Sequence, residues 1–116
     1  MKLLMVEDDP HLRMLYRDEM EEEGYEVHTA ATGAEAWEMF ETIQPDFVTM
    51  DIKLPDADGA ALLKKMREVR PGLRALILTA YDFFDDSSMW VSKDYVMKSS
   101  DLGELKSRVR ETLGES

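Results

Sequence analysis

The sequence predicts an α/β fold in which a parallel sheet is wound with helices on both faces, and three observations carry that prediction. Five short apolar runs recur along the chain, at Leu3–Val6, Tyr25–Thr29, Asp46–Met50, Ala75–Leu78 and Asp94–Met97. Stretches with apolar residues at helical spacing separate most of them. Four of the five runs stop abruptly on a polar residue, as strands buried on both faces do where they leave the sheet.

The elements follow in order. Leu3-Leu4-Met5-Val6 is wholly apolar and meets Glu7-Asp8-Asp9-Pro10. Asp9 before Pro10 suits a helix cap with proline in the first turn, and Leu12, Leu15, Tyr16 and Met20 recur as one stripe until Gly24. After the β-rich run to Thr29, Thr32-Gly33 leads into a helix with Ala36, Trp37, Phe40 and Ile43 on one face, broken by Pro45. The third strand ends on Asp51, and Leu54-Pro55-Asp56-Ala57-Asp58-Gly59 is a turn-rich loop. A third helix over about Gly59 to Val69 is punctuated by Pro71-Gly72, and the fourth strand ends at Thr79. Ala80–Lys93 has 14 residues to leave one strand and return, so a fourth helix there is short, one or two turns. The fifth strand ends at Lys98, and a last helix carries Leu102, Leu105, Val109 and Leu113, with Asp101 and Glu104 as its cap. This is the flavodoxin-like branch of the doubly wound folds, a five-stranded parallel sheet of order 2-1-3-4-5.

Composition narrows the function. The 116 residues hold 44% hydrophobic and 34% charged residues, enough to bury one core and too apolar for a disordered acidic tail. A formal charge of −11 repels phosphate backbones and anionic lipid, so direct nucleic-acid binding and membrane association are not expected. There are no cysteines, which removes disulfides, thiol catalysis and thiolate metal sites. No stretch approaches the length of a membrane span, nor does the start resemble a signal peptide. A cytoplasmic protein is the expectation.

In open α/β sheets the ligand site lies beyond the carboxyl ends of the strands. The ends deliver Glu7 and Asp8, Asp51, Thr79 and Lys98, all polar. Three carboxylates brought together repel one another unless a cation intervenes, and Mg²⁺ is the hard, oxygen-seeking ion for such a set. A lysine ammonium and a hydroxyl nearby supply a charge and a donor for a phosphoryl group. Asp51, alone at the end of the middle strand, is the candidate to attack phosphorus.

Taken together, Val6-Glu7-Asp8-Asp9-Pro10 through Arg13, Met50-Asp51 with Pro55 and Asp58-Gly59, Leu78-Thr79-Ala80 and Tyr95-Val96-Met97-Lys98 resemble a response-regulator receiver domain of two-component signalling, over essentially the whole chain. The resemblance implies that Asp51 accepts a phosphoryl group from a phosphohistidine on a sensor kinase or phosphotransfer protein. It implies Mg²⁺ held by Asp8, Asp51, the Lys53 carbonyl and waters placed partly by Glu7. Lys98 would pair with the phosphate, Thr79 would move onto it, and Tyr95 would swing inward. The face of the fourth helix, fifth strand and last helix would then present a new shape to a downstream effector. The chain departs from the family pattern twice: Lys98 is followed by Ser99 where a proline is usual, and the 18 residues between Thr79 and Lys98 are fewer than usual. Lys53 and Tyr81 would stand at the pocket's rim and slow loss of the phosphoryl group.

We therefore expect residues 1–116 to be one receiver domain without an output domain, a switch that turns over no separate substrate. Three other readings compete with it. A Mg²⁺-dependent aspartyl-phosphate phosphatase of the haloacid-dehalogenase type needs a second acid two residues after its nucleophile, and a cap domain, for which the chain is too short. A non-phosphorylated scaffold would not need an intact acid set. A flavin binder would want a hydroxyl- and glycine-rich first loop where Glu7-Asp8-Asp9 stands. His11 and His28 are read as surface or packing residues, Trp90 as core cover or a docking spot, and Glu19, Glu21, Glu22 and Glu23 as a solvated helix end.

Overall fold

The computed structural model describes residues 1–79, 95–97 and 102–113. In chain order it contains β1 (Lys2–Val6), α1 (Pro10–Glu22), β2 (Glu26–Ala30), α2 (Gly33–Ile43), β3 (Phe47–Asp51), α3 (Gly59–Val69), β4 (Arg74–Thr79), β5 (Tyr95–Met97) and α4 (Leu102–Thr112). The strands form one sheet of order β2-β1-β3-β4-β5, and all four pairings are parallel. The expected flavodoxin-like topology is thus present. The short helix expected within Ala80–Lys93, together with Tyr81 and Trp90, lies outside the described residues, so α4 is the helix expected last.

The first three helices start where the sequence provides a cap. Asp9 accepts from the backbone N–H groups of His11 and Leu12 at 2.9 and 3.3 Å, with Pro10 in the first turn. Thr32 accepts from Glu35 N at 3.1 Å, while Glu35 Oε1 accepts from Ala31 N at 3.0 Å. Asp58 accepts from Ala60 N at 2.9 Å. The cap expected from Asp101 and Glu104 falls on a residue and a side chain outside the described set. At the end of α2, Gln44 takes the left-handed conformation with φ 54°, because Pro45 next to it bars the helical one.

Strand bounds differ from expectation by a residue for identifiable reasons. Tyr25 does not open β2; its N–H bonds Met20 O at 3.3 Å and closes the end of α1. Asp46 does not belong to β3; its carboxylate accepts from Lys2 N, and its own N–H bonds Lys2 O, both at 2.8 Å. Asp51, in contrast, remains in the strand and pairs with Leu78.

Strand alternation sorts the core into two halves. Leu4, Val6, Val48, Met50, Ala75 and Ile77 face α2 and α3, packing with Ala36, Phe40, Leu63 and Met66. Leu3, Met5, Phe47, Leu76 and Leu78 face α1 and α4, packing with Tyr16, Met20, Leu105 and Val109. The α1 stripe is narrower than the sequence suggested, since Leu15 is 41% exposed and only Tyr16 and Met20 of its members are fully buried. The glutamate run is not simply solvated either. Glu19 pairs with Lys106 at 2.7 Å and Glu23 with Arg110 at 3.3 Å, stitching α1 to α4. The Glu19 hydrogen bond holds the Lys106 ammonium above its ordinary range. Its favourable effect is present below that range and fades only as alkali removes the proton.

Candidate acidic cation site at the sheet's carboxyl end

The site grows out of strand parity. Val6 pairs with Met50, so Glu7 and Asp51 fall opposite each other one residue beyond that pair, on the α1/α4 side of the sheet. Glu7 is 1% and Asp51 4% exposed, whereas Asp8 is exposed. One carboxylate oxygen from each of the three lies within 4.8 Å of the others. At that spacing two unit charges repel by about 3–4 kcal/mol at an effective dielectric near 20. The donor set, three hard anionic oxygens gathered where two are shielded from water, fits a divalent cation.

The backbone around the cluster is held by several tethers. Glu7 N bonds Ala30 O at 3.0 Å, and Glu7 Oε2 accepts from Asp9 N at 3.1 Å, tying the acid to the cap of α1. Arg13, in the second turn of α1, turns back so that Nη1 donates to Glu7 O at 3.1 Å and Asp8 O at 3.4 Å. Its guanidinium thus fixes the carbonyls while partly offsetting the acids above them.

Beyond Asp51 the loop to α3 folds tightly. Lys53 and Asp58 form a β-bridge, Leu54 N bonds Ala57 O at 3.2 Å, and Gly59 N bonds Ile52 O at 2.7 Å. Gly59 packs so closely that a Cβ there would lie 1.8 Å from the carbonyl oxygen of Asp51, a backbone atom. No residue with a side chain fits. Asp56 reaches across to α2 and accepts from Gly33 N at 2.7 Å and Ala34 N at 3.0 Å. Those two backbone bonds hold its carboxyl below the usual range.

Of the residues singled out from sequence, Glu7, Asp8 and Asp51 come together, and Lys53 is exposed in the loop that follows. Thr79 ends β4 opposite Met97, and Tyr95 pairs with Ile77, which places both backbones on adjoining strands. The side chains of Thr79 and Tyr95, and Lys98 altogether, lie outside the described residues. His11 is exposed, and His28 Nε2 lies 2.7 Å from Glu26 Oε2, so neither joins the cluster. Sequence reasoning gave no role to Arg13, Asp56 or Gly59. The first two act across loops, and the third through its lack of a side chain.

Residues 3–110 match the family described as the response regulator receiver domain. The chain is 31% identical over 115 residues to sporulation initiation phosphotransferase F of Bacillus subtilis, spanning 97% of this chain and 93% of that protein. It is 36% identical to the transcriptional regulatory protein TrcR of Mycobacterium tuberculosis but covers 46% of it, and it spans between a quarter and a half of several other curated relatives. Among solved structures it resembles the response regulator TrrA of Thermotoga maritima in complex with Mg²⁺ and BeF, with TM-score 0.87, 36% identity and coverage of 96% of this chain and 97% of that one. TrrA has also been solved in complex with the histidine kinase ThkA. No helix among the described residues is long and apolar enough to cross a membrane.

Proposed function

The chain belongs to the response regulator receiver family and is the receiver domain of a two-component response regulator; on that premise we propose that Asp51 is its phosphoryl acceptor. The observation that supports this reading is the meeting of the Glu7, Asp8 and Asp51 oxygens within 4.8 Å. A carboxylate oxygen of Asp51 attacks the phosphorus of a phosphohistidine, the P–N bond breaks, and the departing imidazole takes up a proton from solvent as the acyl phosphate forms. Asp8, Asp51 and the Lys53 carbonyl would hold Mg²⁺, with Glu7 orienting its waters. The ion supplies charge neutralisation for the phosphoryl oxygens when bound. Arg13 keeps the Glu7 and Asp8 backbone in place as charge accumulates.

In this reading Lys98 pairs with the phosphoryl group, Thr79 donates its hydroxyl to it, and Tyr95 follows Thr79 inward. The donor is a histidine kinase, as the TrrA complex suggests by likeness, and the signal passes to an effector protein in the cytoplasm. No separate substrate is turned over.

Intact-mass measurement after incubation with acetyl phosphate and Mg²⁺ tests the assignment. Wild type gains the mass of one phosphoryl group, and Asp51→Asn gains none. Equal labelling of both proteins would remove Asp51 from the role.

A further inference from the structure

The loop between β3 and α3 carries Lys53 and is anchored at a point 23 residues away in sequence. Asp56 accepts from Gly33 N at 2.7 Å and from Ala34 N at 3.0 Å, two of the donors that the first turn of α2 cannot satisfy internally. Gly33 is matched to this contact. A Cβ at residue 33 would lie 2.8 Å from Ala57 Cβ and 3.2 Å from Asp56 Oδ1, so the close seat of the loop requires glycine there. The Lys53–Asp58 bridge, the Leu54 N to Ala57 O bond and the Gly59 N to Ile52 O bond join parts of the loop to one another and to its ends. The Asp56 contact therefore ties the loop to a neighbouring helix.

We infer that Asp56 is a positioning residue for the cation: by clamping the β3–α3 loop to the start of α2 across Gly33, it presets the Lys53 carbonyl beside Asp51. This rests on the reading that Asp8, Asp51 and the Lys53 carbonyl hold Mg²⁺. An untethered loop has to be ordered when the ion binds, and the lost freedom weakens binding. Support groups of this kind change metal affinity by about tenfold or more when removed.

Mg²⁺ titration by calorimetry on the full chain, with thermal melting in chelator as a control, tests it. Asp56→Ala raises the Mg²⁺ dissociation constant about tenfold. Asp56→Asn, which keeps an acceptor oxygen, recovers much of the loss. Gly33→Ala, whose Cβ crowds Ala57 and Asp56, weakens Mg²⁺ as Asp56→Ala does, whereas a purely structural role for this position predicts a lower melting temperature with unchanged affinity. The double variant is no weaker than Asp56→Ala alone, because both changes break one contact. Wild-type affinity in either Asp56→Ala or Gly33→Ala overturns the inference. Absence of Mg²⁺ binding by the wild type overturns instead the reading on which it rests, and the inference with it.

Discussion

The two faces of the sheet are built from the same strands, yet among the described residues only one carries buried polar groups. The buried residues described on the side covered by α2 and α3 are apolar, with Val48, Met50 and Ile77 meeting Phe40, Leu63 and Met66. The side covered by α1 and α4 is apolar only as far as the carboxyl ends, where Glu7, Thr49 and Asp51 are buried in line with Leu3, Met5 and Phe47. The difference shows a division of labour made by parity alone: alternate residues of β1 and β3 serve cohesion on one side and chemistry on the other. A charge cluster costs stability, and the apolar side is what allows it to be kept.

The largest test of that division is Phe40→Ala. Phe40 is 2% exposed, meets Trp37 in a tilted ring contact with centroids 5.6 Å apart, and lies under the Arg70 guanidinium. Its loss lowers unfolding free energy by about 3–5 kcal/mol in urea denaturation. The folded fraction keeps its Mg²⁺ affinity. A parallel collapse of affinity would mean the two faces are not separable.

On the other face, Asp51→Asn removes one of three crowded charges and stabilises the protein in chelator by about 1–2 kcal/mol. In saturating Mg²⁺ the ranking inverts, since wild type alone gains the full linkage from the ion. Melting both proteins under the two conditions reads the crossing directly. Wild type melting higher in chelator would show that the carboxylates are not in conflict.

The smallest effect belongs to Thr49. Its hydroxyl is buried with no hydrogen-bond partner among the described residues, two positions before Asp51. Thr49→Val keeps the shape and removes a buried hydroxyl that has no partner among the described residues, so it raises stability by about 1 kcal/mol. A loss of stability on urea denaturation would show that the hydroxyl is satisfied in solution.

Much of this was legible before the structure. Apolar runs ending on acids located β1 and β3, and the ligand rule for open sheets brought Glu7, Asp8 and Asp51 to one place. What escaped was set by tertiary neighbours. The exposure of Leu15 depends on where α1 lies against the sheet, and the pairing of Glu19 and Glu23 depends on α4, more than eighty residues onward. Nothing in Leu54–Gly59 as a string says that Asp56 reaches Gly33, or that Gly59 is needed for want of room.

That last contact has a mechanical side. Between the first turn of α3 and the main chain of Asp51 there is no side chain to bend, only a glycine pressed against a carbonyl and a 2.7 Å bond from Gly59 to Ile52. The tip of the strand and the helix are thereby a stiff joint without a cushion. A shift of one therefore presses directly on the other.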